Sequence, residues 1–214
     1  MTINIEKIRE ILIKSKVKLY EGLTEEEFEK IENFYSIKFP ISLRILYSSF
    51  LPEFYNWRDF SEENVKKIKN YLNWPFEGIL FDIEMNGFWK KCFGPMTDDI
   101  NEDKKKALEY LENANNDTVP KLIPIYSHRY VPYYPDIVDV PVISVYQTDI
   151  IYYGYNLENY FEREFHPVNK NSLEDYLKSI LEAEYKEPAD LHYKDIPFWT
   201  DIINCRFGDD EDED

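Results

Sequence analysis

Residues 119–154, VPKLIPIYSHRYVPYYPDIVDVPVISVYQTDIIYYG, limit the fold of this chain more than any other stretch. Short runs rich in Ile, Val and Tyr alternate with Pro, Asp and polar pairs, which predicts three or four β-strands joined by tight connections. Pro120, Pro124, Pro132, Pro135 and Pro141 restrict the pairing, because proline donates no backbone hydrogen bond. The run Asp149-Ile150-Ile151-Tyr152-Tyr153 lacks clean apolar/polar alternation, so both faces of that strand are expected to be covered. The segment has no glycine cradle and no paired nucleophile and base, so it reads as the middle of a sheet and not as a catalytic loop.

The flanking segments read mostly as helices. Ile5, Ile8, Ile11 and Leu12 predict a helix over 3–15; with Lys16 and Lys18 just after it the local charge is +3, and the helix is expected to pack on an otherwise acidic body. Thr24 and Glu27 form a capping-box pattern ahead of a helix carrying Phe28, Ile31 and Phe34 or Tyr35, with a stop near Ile37. Pro40 opens a third helix with Ile41, Ile45, Leu46 and Phe50 apolar, and Ser61 a fourth with Val65, Ile68 and Leu72 inward. Residues 78–83 read as a short strand, 99–113 as a helix, and 157–165 and 172–185 as two more helices. Ile196, Phe198, Trp199, Ile202 and Ile203 form a last apolar cluster expected to cover the core. Helices, then strands, then helices again predict an α+β fold. With no repeats and no long linker, residues 1–208 are expected to form one domain, and 209–214 a disordered acidic tail.

Charge sets limits on partners. The net charge is −17, and without the six acids of the tail the remainder still carries −11. Nucleic-acid binding needs basic patches, so the balance opposes it, whereas a basic protein would be steered toward such a surface. No apolar run reaches the ~18 residues of a membrane span, and the N-terminus lacks the apolar stretch of a secretion signal. Cys92 and Cys205 make neither a disulfide framework nor a zinc motif, which fits a reducing, cytoplasmic location. Cys92, among Trp89, Lys90 and Phe93, reads as buried packing.

Candidate chemistry is sparse. Asp82 and Glu84 would share one face of a strand, which is paired-carboxylate geometry, but a third ligand and a pocket are not evident. His128 and Arg129 sit between two strands, where they are expected to bond sheet-end carbonyls and hold a carboxylate such as Asp82 or Asp149. Asp82, His128 and Arg129 are therefore read as structural polar residues. Ser127 beside His128 is not a triad, which needs a positioned acid and an oxyanion hole. No catalytic residue, metal ligand or cofactor site is assigned. The tyrosine-rich run offers a different function. Tyrosines left on an open face make rigid, amphipathic contacts, and the candidate partner-binding residues are Tyr133, Tyr134, Asp136, Tyr152 and Tyr155.

The order of several segments resembles the SUKH superfamily, which includes regulators of the Smi/Knr type and bacterial immunity proteins. The carriers are LTEEEFEKIENFYSIKFPISLRILYSSF, FYNWRDF, PFEGILFDIEMNGFWKKCFG, PKLIPIYSHRYVP and PVISVYQTDIIYYG, spread over roughly 23–199. The resemblance implies an α+β fold with a mixed central sheet flanked by helices, and no catalytic centre. It also implies an immunity-type protein that binds and neutralises a toxin domain stoichiometrically, the toxin often being a nuclease or other nucleic-acid-directed enzyme; such a partner must be basic to hold nucleic acid. The alternative implied by the Smi/Knr relatives is a regulatory interaction scaffold in cell-envelope or stress signalling.

Overall fold

The computed structural model describes residues 3–165 and 194–204. The expected helix at 172–185 and the acidic tail at 209–214 lie outside the described residues. The chain runs α1 (Ile5–Lys14), β1 (Leu19–Glu21), α2 (Glu25–Tyr35), α3 (Ile41–Ser49), β2 (Phe50–Pro52) and α4 (Glu62–Asn86). A 3-10 turn at Lys91–Phe93 and α5 (Ile100–Asn113) follow. Then come β3 (Leu122–Tyr126), β4 (Arg129–Pro132), β5 (Val142–Tyr146), β6 (Asp149–Gly154), α6 (Leu157–Glu164) and α7 (Trp199–Asn204). The class is α+β, as the order of elements predicts.

Local signals placed the helix starts. Thr24 Oγ1 accepts the Glu27 amide while the Glu27 carboxylate takes the Thr24 amide, the reciprocal pair that satisfies two orphan donors. Asp99 and Asn156 cap α5 and α6 more simply, each side-chain oxygen accepting one backbone amide, that of Asn101 and that of Asn159. α2 stops at Tyr35, two residues before Ile37, because Ser36 turns left-handed.

The segment 119–154 forms a four-stranded meander, β3-β4-β5-β6. All its pairs are antiparallel, as is the small β1–β2 pair, so the described sheets are not mixed as the resemblance implied. Two-residue turns at 127–128 and 147–148 lie at one end, here the hairpin end. The 133–141 connection lies at the other, the loop end. Ser127 and Gln147 both adopt positive φ, the backbone twist that tight hairpins need. β6 is an edge strand and is not covered on both faces: Ile150 is buried while Ile151 is exposed. One side of its neighbourhood was left open, so alternation reappears in burial where the sequence showed none.

Each face of the meander buries its own core. Ile123, Val131 and Val142 pack with Ile8, Leu12, Phe28, Leu46 and Phe161 of the α1, α2, α3 and α6 side. Leu122, Tyr130, Ile143 and Val145 pack with Ile79, Ile83, Leu111, Trp199 and Ile202 of the α4, α5 and α7 side. The last apolar cluster thus closes the second core, as expected. α4 serves both: Ile68 belongs to the first core, Ile79 and Ile83 to the second.

That dual role depends on α4 running unbroken through Pro75, and residues 78–83 are helix, not the expected strand. Proline cannot donate to the carbonyl four residues back, so the Tyr71 carbonyl loses its helical partner. The buried Tyr130 hydroxyl, from β4, donates to that carbonyl at 2.9 Å and replaces the missing bond. Among the described residues no helix is long and apolar enough to cross a membrane.

Candidate functional site

The hairpin end is built against α4 by three devices. Asp82 is buried, and its Oδ2 accepts from the Thr148 amide at 2.8 Å and from the Thr148 hydroxyl at 2.5 Å. Its Oδ1 accepts from Asn86 Nδ2 at 2.5 Å. One turn earlier, Gly78 lets the hairpin backbone approach: a Cβ there would stand 2.7 Å from the Gln147 Cα. Trp74, a further turn back, donates its indole N–H to the Val145 carbonyl at 3.2 Å. The turn is therefore fastened to the helix by its backbone and the Thr148 hydroxyl, while Tyr146 at its start stays exposed.

The result is an exposed aromatic surface held in place. Trp74, Phe81 and Met85 recur at i, i+7 and i+11 along the outer face of α4 and are 38%, 44% and 61% exposed. Tyr146 lies 6.3 Å from Trp74 between ring centroids and is exposed, and Ile151 is its diagonal neighbour across β5–β6. The His128 ring sits 6.5 Å from Tyr146. Glu77, one turn from both Trp74 and Phe81, and Asp149, paired with Tyr146, are exposed and form no ion pair among the described residues.

The structural polar residues take specific partners. Arg129 holds Glu164 at 3.2 Å and donates to the Ser144 hydroxyl at 2.8 Å, with its guanidinium 3.7 Å over the Tyr153 ring. The carboxylate it holds is thus neither Asp82 nor Asp149. Burial, and then the adjacent Arg129 charge, pushes the His128 imidazole below its usual pKa, with Glu164 acting the other way. The His128 carbonyl accepts the Val145 amide at 2.9 Å, and its Nδ1 lies 3.1 Å from Ser127 Oγ.

Asp82 and Glu84 do not share a face, because a two-residue step on a helix turns through about 200°. Asp82 faces Thr148, whereas Glu84 is exposed and paired with Lys104. Asp82, Glu84 and His128 have no partner in common. Cys92 is exposed, not buried, because the ring of its neighbour Phe93 takes the core position. Among the described residues no group of three His, Cys, Asp or Glu is placed to hold a metal ion.

The five tyrosine-segment candidates gather at the loop end. Tyr134 donates its hydroxyl to the Asp195 carbonyl at 3.3 Å, and Tyr152 shares a 2.6 Å hydrogen bond with the Thr200 hydroxyl. Both therefore brace the chain leading into α7, and burial raises both phenol pKa values. Tyr133 is half-buried with its amide on the Lys121 carbonyl, and Tyr155 is half-buried with its amide on Asn159. Asp136 is exposed. The sequence hides the aromatic stripe of α4, because residues 78–83 taken alone look like a strand. The signal was present: Val65, Ile68, Leu72, Ile79 and Ile83 continue one helical stripe past Pro75, and Trp74, Phe81 and Met85 form a second.

A scan against protein-family models, a search of curated proteins and a search of solved structures each found no match.

Proposed function

We propose that this chain is an immunity-type protein that neutralises a basic toxin domain by binding it one to one in the cytoplasm. The observation that carries this reading is the outward stripe of Trp74, Phe81, Met85 and Tyr146, held rigid from beneath by Asp82, Gly78 and the Trp74 indole bond. Aromatic anchors that are ordered before binding lose little entropy on contact, which is how a modest surface reaches high affinity. The free carboxylates of Glu77 and Asp149 beside the stripe, within a body of net charge −17, suit a cationic partner and speed its capture. A nuclease domain must be basic to hold nucleic acid, so it supplies that chemistry. The resemblance of the segment order to SUKH proteins points to the same partner class.

The test is co-expression with the toxin-like domains encoded beside the gene. The expected result is growth rescue and a stoichiometric complex, both lost in the Trp74→Ala/Tyr146→Glu variant. Absence of complex and rescue across those domains would reject the reading. Several weak partners in place of one tight one would favour the regulatory scaffold.

A further inference from the structure

A cleft of about 310 Å³ opens where the two cores meet at the free edge of β3. Its floor draws on both: Leu72 and Ile123 from the first, Phe76, Leu122 and Trp199 from the second. The seam falls at Pro75, where α4 passes from one core to the other. The volume is at the small end of ligand sites, enough for an apolar body on the order of ten heavy atoms.

The rim has the opposite sign to the molecule. Lys69 stands on the α4 bank and Lys121 on the bank before β3, against one carboxylate, Glu112. Lys121 donates to the Ser36 carbonyl at 3.1 Å, which fixes its ammonium at the mouth and leaves two N–H donors. Lys69 forms no ion pair among the described residues. Asn73, exposed at the mouth, adds a neutral amide. In a chain of net charge −17, this is a local cationic rim over an apolar floor.

We infer that the cleft is a binding site for a small apolar carboxylate, its hydrocarbon body against Leu72 and Phe76 and its carboxylate between Lys69 and Lys121. Apolar contact supplies the affinity, and the two ammonium groups select the sign of the head group. This site is separate from the Trp74–Tyr146 stripe and does not depend on the toxin reading.

The experiment titrates the full chain with decanoate, decylamine and decanol below their aggregation concentrations, by calorimetry and amide NMR. Decanoate is expected to bind with shifts centred on Lys121, Leu122 and Ile123, and to bind at least tenfold more tightly than either other probe. Lys69→Gln/Lys121→Gln should lower decanoate affinity about tenfold. Asn73→Trp, at an exposed position that leaves the core intact, should block the mouth and abolish binding. Any of four results overturns the inference: no shifts at these residues, decylamine or decanol matching decanoate, unchanged affinity in the double variant, or full binding in Asn73→Trp.

Discussion

At the loop end of the meander, Tyr134 and Tyr152 turn inward and bond the chain entering α7, whereas at the hairpin end Trp74 and Tyr146 stay exposed. The two ends carry similar aromatic residues in opposite employment. The difference lies in what fixes the backbone. At the hairpin end a buried carboxylate, a glycine and an indole N–H fasten the turn to α4, so its aromatic faces are not needed for packing. At the loop end the connection is longer, and side-chain hydroxyls do the fastening themselves. A tyrosine is thus a strut or a contact residue according to whether another group already holds its strand.

Substitutions can break this contrast, the largest effect being expected at the loop end. Trp199 is fully buried, stacks on Phe76 and donates its indole N–H to the Pro120 carbonyl at 2.9 Å. Trp199→Ala should cost about 3–5 kcal/mol in urea denaturation, and a loss well under ~1 kcal/mol would show that α7 does not close the second core. Next is Asp82→Ala, which leaves the Thr148 amide and hydroxyl without an acceptor in a buried turn. We expect a loss of about 2–3 kcal/mol together with faster hydrogen exchange at Thr148. Unchanged exchange there would mean that the hairpin is held by packing alone.

Tyr130→Phe is the third, smaller test. It orphans the Tyr71 carbonyl that Pro75 already deprives of its helical bond, and should cost about 1–3 kcal/mol. Equal stability would show that water replaces the hydroxyl. Tyr146→Ser should change stability by no more than ~0.5 kcal/mol while lowering affinity for the cognate partner by about 2 kcal/mol or more. A Tyr152→Phe variant that lost as much affinity with little change in stability would reverse the assignment of the two ends.

The smallest effect is in acid, at a site outside both ends. The Arg58 guanidinium, at 2.6 Å and 2.9 Å, holds the Glu27 carboxyl down to about 2, assisted by the Thr24 amide. A folded pKa below the unfolded one gives stability that is present above the ordinary value near 4.5 and is lost as the pH falls through about 2. Arg58→Leu should therefore narrow the difference in stability between pH 5 and pH 2. A pH profile parallel to that of the native chain would remove the pair as a contributor. Glu27 is about one-third exposed, so solvent screening keeps the effect modest.

Several features were legible in the sequence because their causes are local. The Thr24–Glu27 box joins residues three apart, and β-rich runs between turn residues pointed to three or four strands where the meander has four. The error at 78–83 has the same root. Phe81-Asp82-Ile83 between a proline and a glycine looks strand-like when read alone. The decisive partner of Pro75 is Tyr130, which relieves a carbonyl 59 residues earlier in the chain. Likewise the sequence pointed to a carboxylate for Arg129 but not to Glu164, which lies 35 residues on.

The amino-acid order by itself determined the α+β class, the helix starts, the strand-rich centre and the acidic charge, since each follows from propensity, capping or composition within a few residues. Tertiary structure alone decided that α4 continues through a proline, that Asp82 is a clamp and not half of a carboxylate pair, and which aromatic rings face outward. Those outcomes depend on groups that meet only after the chain has closed on itself, where a buried donor or acceptor must find its partner or lose stability.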